Sequence, residues 1–92
     1  MSGPTAQDLE HLPSLDFALS KVTEADPDGV TIHRFLYRSV SAVLQDAGRL
    51  TIPQGSFNRL MSAAGFPRKS WRNGARGKTT YFEGLNLLDD AP

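Results

Sequence analysis

Several features that define familiar functional classes are missing from this sequence. It contains no cysteine, which excludes disulfides, thiolate zinc sites and cysteine nucleophiles. Its two histidines, His11 and His33, cannot build a zinc site by themselves. Residues 74–79 resemble a phosphate loop, but the first glycine of that motif is Arg72 here. With no catalytic constellation in a predicted cleft, the sequence predicts no metal, no cofactor and no enzymatic activity.

Long hydrophobic runs are also absent. No apolar stretch approaches the roughly 18 residues that a membrane-spanning helix requires. Residues 1–5 do not combine a basic stretch with a following apolar one, which is the pattern of a secretory signal. We therefore expect a cytoplasmic protein with no membrane partner.

The formal net charge is zero, but charges of opposite sign are separated along the chain. Residues 1–28 carry six acids and one base, Lys21. Residues 29–82 carry nine bases against the single acid Asp46, a net charge of +8, and the last ten residues are acidic. Such a basic block is typical of a phosphate-binding face, which predicts nucleic acid as the partner. A solvated basic surface without a partner would give the same pattern.

The N-terminal part predicts a flexible segment followed by a helix. Thr5 can cap a short helix that Pro13 would end, and residues 1–13 are predicted to be flexible. Ser14 can cap a helix over residues 15–25, which Pro27 and the residues after it break. The folded domain is predicted over residues 14–88, with an acidic tail at 89–92.

The rest of the chain predicts a short strand at 30–32, helices at 33–47 and 54–64, and strands at 66–72 and 78–88. Gly48 and Gly65 close the two helices, and Asn73-Gly74 is a strong hairpin signal. The predicted core consists of the apolar helix stripes: Leu15, Ala18, Leu19 and Val22; Leu36, Val40, Val43, Leu44 and Ala47; Phe57, Leu60, Met61 and Ala64.

This order of elements predicts an α+β fold, namely a winged helix-turn-helix. In that fold three helices pack with a small antiparallel sheet, and a C-terminal β-hairpin forms the wing. The helix at 54–64 then occupies the position of the recognition helix.

The polar residues of this helix suit a groove of nucleic acid. Gln54 and Asn58 can pair with adenine through two hydrogen bonds, and Arg59 can bind guanine or a phosphate. Ser56 and Ser62 can bond phosphate oxygens. An ordinary amphipathic surface helix would carry the same residue types.

The hairpin concentrates basic residues, and its predicted contacts are with the phosphate backbone. Its glycines allow a close approach, and Arg76 at the tip could enter a minor groove. Trp71 either packs over the hairpin and the third helix or stacks on a base. The predicted backbone contacts are Arg68, Lys69, Arg72, Arg76 and Lys78.

Four segments between residues 33 and 88 carry a family resemblance. They are Phe35-Leu36-Tyr37, residues 56–66 with Phe57, Leu60 and Gly65-Phe66, the basic segment Arg68-Lys69-Ser70-Trp71-Arg72, and Tyr81-Phe82-Glu83-Gly84-Leu85-Asn86-Leu87. Through them about 55 residues resemble the C-terminal winged-helix domain of phage and plasmid primase-helicase proteins. The resemblance implies a DNA-binding appendage that recruits or orients a larger replication protein, whose catalytic parts this chain lacks.

The sequence therefore predicts a domain that binds double-stranded DNA, with the third helix in the major groove and the wing on the backbone. A second hypothesis is a protein-interaction winged helix that docks on a replication or transcription partner. A third is binding of single strands or RNA, with Trp71 and Tyr81 as stacking platforms.

Overall fold

The chain begins with two helices, and the computed structural model describes residues 4–72 and 78–88. Helix α1 is Ala6–Leu9 and helix α2 is Leu12–Val22. Pro13 lies in the first turn of α2, where its missing N–H has no helical partner to lose, and not after the end of a helix as the sequence had predicted. As a result α2 begins and ends three residues before its predicted bounds.

Strand β1, Thr23–Ile32, is longer than the predicted three-residue strand. It pairs antiparallel with the last strand on both sides of an irregularity between Ala25 and Val30. The turn-forming residues Pro27-Asp28-Gly29 lie within this β-bulge, so they interrupt the ladder without ending the strand.

Helices α3, His33–Asp46, and α4, Gln54–Ala63, agree with the predicted helices to within one residue at each end. Gly48 and Gly65 follow them with φ of 71° and 98°, the left-handed conformation in which glycine closes a helix. The connector between the two helices contains Ile52, which is fully buried.

The last two strands pair antiparallel as predicted, but the first of them begins at Lys69 and not at Phe66. Strands β2, Lys69–Arg72, and β3, Lys78–Leu87, pair directly, and the sheet order is β1-β3-β2. The predicted Asn-Gly turn at residues 73–77 and the predicted acidic tail at 89–92 lie outside the described residues.

The core lies between the helices and one face of the sheet. Phe57 of α4 and Phe82 of β3 meet edge to face with ring centroids 6.0 Å apart, which joins the helical layer to the sheet. The predicted core positions Ala47 and Ala64 are exposed because each follows the last residue of its helix. The buried hydrophobic residues are Leu15, Ala18, Val22, Leu36, Val40, Leu44, Ile52, Phe57, Leu60, Met61, Phe82 and Leu85.

The predicted α+β class is confirmed, with four helices and a small three-stranded antiparallel sheet in the described part of the chain. The additional helix is α1, which packs against α4.

Candidate nucleic-acid interface

Helix α4 turns one face to the core and the other to the surface. Phe57, Leu60 and Met61 are buried, which orients the helix about its axis. The outward positions carry small or polar residues, and Gly55, Ser62 and Ala63 among them are exposed. Small side chains on this face allow another molecule to approach the helix backbone closely.

Asp8 of α1 binds two residues of α4. Its Oδ2 accepts a hydrogen bond from Arg59 Nε at 2.5 Å, and its Oδ1 accepts from Arg59 Nη2 at 2.9 Å and from Ser56 Oγ at 2.6 Å. The Asp8 side chain is 2% exposed, whereas the Arg59 side chain is 40% exposed. The guanidinium is therefore anchored on its inner edge and reaches solvent on its outer edge.

Hydrogen bonds to the charged form of Asp8 stabilise that form. The bonds from Arg59, from Ser56 and from the backbone N–H of Thr5, in that order, hold the pKa of Asp8 well below its ordinary range. The same pair raises the pKa of Arg59. Thr5 also caps α1, because its Oγ1 accepts from the Asp8 backbone N–H at 3.1 Å.

His33, the first residue of α3, contacts α4 through Asn58. Nε2 of the His33 ring lies 2.7 Å from Asn58 Oδ1, and His33 is 7% exposed. The ring packs against three aromatic side chains, with centroid distances of 5.7 Å to Phe57, 5.5 Å to Phe82 and 6.4 Å to Tyr37. The side chain of Asn58 is thus oriented from beneath by a buried ring.

An open cleft of about 490 Å³ separates α4 from the hairpin. Three of its polar lining residues are cations that only donate hydrogen bonds, and the other four carry an amide or a hydroxyl that can donate or accept. It is lined by Asn58, Arg59, Ser62, Pro67, Arg68, Lys69, Ser70 and Thr80. A smaller cleft that includes Arg34 also borders Thr80, so the donor-rich surface continues toward the start of α3.

The cations at the cleft differ in how far a neighbouring carboxylate compensates their charge. Lys69 Nζ lies 3.2 Å from Glu83 Oε2, and both side chains are about half exposed, so this ion pair stabilises the fold little. Arg68 is exposed and forms no ion pair with any residue that the structure describes. Arg68 is accordingly the cleft's least compensated cation.

The structure describes the side chains of seven of the ten predicted site residues. It brings Asn58, Arg59, Ser62, Arg68 and Lys69 together at the cleft. Gln54 is exposed at the start of α4 but does not line the cleft. Ser56, which the sequence had predicted to bond phosphate oxygens, is 7% exposed, and its hydroxyl donates to Asp8 instead.

Three further predicted residues belong to the hairpin. Arg72 and Lys78 face each other as backbone partners in β2 and β3, and their side chains lie outside the described part of the molecule. Arg76 lies outside it as well, and so does the side chain of Trp71, so both alternatives for Trp71 stay predictions.

Sequence analysis missed Asp8 and His33 as partners of α4. The spacing of Thr5 and Asp8 is that of a capping box, which is a readable signal for α1 but not for its contact with Arg59. His33 and Asn58 are 25 residues apart and belong to different helices, so no local pattern connects them.

No group of three or more His, Asp or Glu side chains among residues 4–72 and 78–88 is placed to hold a metal ion. None of the helices described there is long and apolar enough to cross a membrane. Comparisons of the chain with protein-family models, with curated proteins and with solved structures found no match.

Proposed function

We propose that this domain is a winged helix-turn-helix that binds double-stranded DNA. In this proposal α3, the connector and α4 form the helix-turn-helix, and β2 and β3 form the wing. Helix α4 enters the major groove, and the hairpin contacts the phosphate backbone beside it.

The cleft between α4 and the hairpin is the observation that carries the proposal. Helix α4 has ten residues, or about 15 Å of helix, and the diameter of an α-helix, about 10 to 12 Å, matches the roughly 12 Å width of the major groove. The exposed Gly55, Ser62 and Ala63 leave room for a groove wall. On the adjacent side the cleft offers the donors of Asn58 and Arg68, which suit phosphate oxygens and base acceptors.

Charge supports the same partner. The net charge of +8 over residues 29–82 includes five bases in residues 68–78. Because Asp8 partly compensates Arg59, the hairpin supplies more of the free positive charge than α4 does. Backbone contacts by the hairpin would therefore dominate affinity.

The resemblance to the C-terminal winged-helix domain of primase-helicase proteins extends the proposal. On that basis the domain orients a larger replication protein on its DNA template. The sequence of the chain supports this role through the motifs at residues 35–37, 56–66, 68–72 and 81–87.

The test is fluorescence anisotropy with labelled random-sequence duplex and with single strand, each at three salt concentrations. If four to six phosphates are contacted, log K should fall with log salt with a slope of roughly −4 to −5. The variant Arg76→Ala/Lys78→Ala should lose about 2 units of that slope. Lys21→Ala/Arg49→Ala, which removes the same two residue types from the surface beside Phe17, is the matched control.

A flat salt dependence, or equal losses in both double variants, would contradict the proposal. Preferential binding of the single strand would favour the stacking hypothesis. Absence of binding to either form would favour docking on a protein partner.

A further inference from the structure

The contact between His33 and Asn58 constrains what α4 can read. The Asn58 carbonyl oxygen is an acceptor only, so the 2.7 Å contact requires the hydrogen on His33 Nε2, which donates to Oδ1. The ring is 7% exposed and fixed among Phe57, Phe82 and Tyr37. Reorientation of this ring would disturb the aromatic packing that joins α3, α4 and β3.

An asparagine amide has one acceptor end and one donor end. Because His33 engages the acceptor end of Asn58, the amide's two N–H donors remain for a ligand. Asn58 is half-buried and lines the cleft, so these donors are at the face that α4 shares with the hairpin.

The neighbouring polar groups of the cleft are three cations, which only donate, and three hydroxyls, which can donate or accept. Arg59 uses Nε and one Nη2 hydrogen on Asp8, which leaves three of the guanidinium's five hydrogens. Arg68 and Lys69 contribute donors alone, whereas the hydroxyls can donate or accept. These hydroxyls belong to Ser62, Ser70 and Thr80. This side of the cleft therefore favours a partner edge that consists of acceptors.

Guanine and adenine differ in the hydrogen-bonding groups that they present in the major groove. Guanine presents two acceptors, N7 and O6, whereas adenine presents the acceptor N7 beside the donor N6. Bidentate pairing of asparagine with adenine uses the carbonyl oxygen as well as the amide nitrogen. In this protein one of that oxygen's two lone pairs accepts from His33, which holds the oxygen toward a buried ring and disfavours that pairing.

We propose, on the basis of the proposed DNA binding, that Asn58 and its donor neighbours make the α4 face select guanine over adenine, and that His33 is the positioning residue for this selectivity. The energy of a good bidentate contact corresponds to a preference of about fivefold to about a hundredfold at one base-pair position.

The experiment is selection from a randomised duplex library, followed by anisotropy titration of duplexes that differ at the selected position. Wild type should enrich guanine there. His33→Phe retains an aromatic ring without the N–H donor, so it should lose the guanine preference and gain adenine binding, with an unchanged salt slope on random duplex. Asn58→Ala should lose the preference without gaining adenine.

Gln45→Ala is the matched control, because Gln45 is an exposed amide on α3 that does not line the cleft. Its selectivity should equal that of wild type. Circular dichroism melting confirms that each variant is folded, and nitrogen-15 NMR of the wild-type ring reports which His33 nitrogen carries the hydrogen.

Duplex binding without a preference for guanine, or a preference that survives His33→Phe, would overturn this inference and leave DNA binding intact. A His33 ring that carries its hydrogen on Nδ1 and not on Nε2 would also overturn this inference, without any measurement of DNA binding. If the domain binds no duplex even at the lowest salt concentration, the proposed function is overturned, and this inference with it.

Discussion

The carboxylate of Asp8 accepts two hydrogen bonds from the guanidinium of Arg59, which lies 51 residues further along the chain. This contact fastens α1 to the middle of α4 and, through Ser56, to its buried side. A four-residue helix is too short to be stable in isolation, so α1 depends on this contact.

Replacement of Asp8 by asparagine should destabilise the domain. The variant removes the charge that pairs with Arg59 while retaining the size of the side chain. We expect the melting temperature to fall by a few degrees, because the buried Asp8 side chain loses its charge-assisted hydrogen bonds, whereas the partly exposed Arg59 side chain can turn to solvent. Circular dichroism melting measures the fall in melting temperature. Asp16→Asn, which makes the same change at an exposed residue of α2, is the control. Equal melting temperatures for both variants would contradict the expectation.

The contribution of Asp8 should also depend on pH. Its pKa is lowered from an ordinary value of 3.8, chiefly by the hydrogen bond from Arg59. A carboxyl whose pKa is lower in the folded state stabilises the fold fully above its unfolded pKa, and this stabilisation is lost as the pH falls toward the folded pKa. We therefore expect the difference in free energy of unfolding between wild type and Asp8→Asn to be constant above about pH 5 and to shrink below about pH 4.

Urea denaturation at several pH values measures that difference. A difference that stays constant to about pH 3 would show that Asp8 acts through packing and not through its charge.

The connector between α3 and α4 is held by Tyr37. Its hydroxyl donates to the carbonyl oxygen of Ile52 at 2.5 Å, and Ile52 is buried. Tyr37→Phe should reduce the free energy of unfolding by about 1 to 2 kcal/mol, since the Ile52 carbonyl loses its donor. Urea denaturation measures the loss, and amide hydrogen exchange should localise faster opening to residues 49–53. Uniform acceleration over the whole chain would indicate a different cause.

Removal of the charge of Glu83 should strengthen the proposed binding to DNA. Glu83 pairs with Lys69 at the cleft, and both side chains are exposed, so Glu83→Gln should cost little stability. With Lys69 released to a phosphate, the salt slope should become steeper by about 0.9. Glu10→Gln removes an equal charge from an exposed residue before α2 and is the matched control in the same anisotropy titration. An equal gain in both variants would indicate a general effect of net charge.

Local patterns in the sequence predicted α3, α4 and the hairpin well, because each depends on its own periodicity and on an adjacent glycine or turn. The extent of β1 was not predictable in this way. Pro27-Asp28-Gly29 signals a turn locally, and only the pairing of Thr23 and Val30 with β3 on both sides shows that the strand continues.

Local sequence patterns were also insufficient to predict the contacts of the candidate site. Residue types alone placed Asn58, Arg59 and Arg68 at an interface, and the structure brings these three to one cleft. The chemistry of two of them depends on distant partners, Asp8 and His33, which only the tertiary packing of α1 and α3 against α4 supplies.

The bulge in β1 has a consequence for how the domain can vary in length. Residues 23–25 and 30–32 are registered separately against β3, and the chain between them has no partner of its own in the ladder. Position 29 requires glycine, since a Cβ would lie 2.8 Å from the Leu85 carbonyl oxygen. Pro27, in contrast, is exposed. An insertion at Pro27 would be absorbed locally, so a peptide tag or a fluorescent label could be introduced here while α4 and the hairpin keep their geometry.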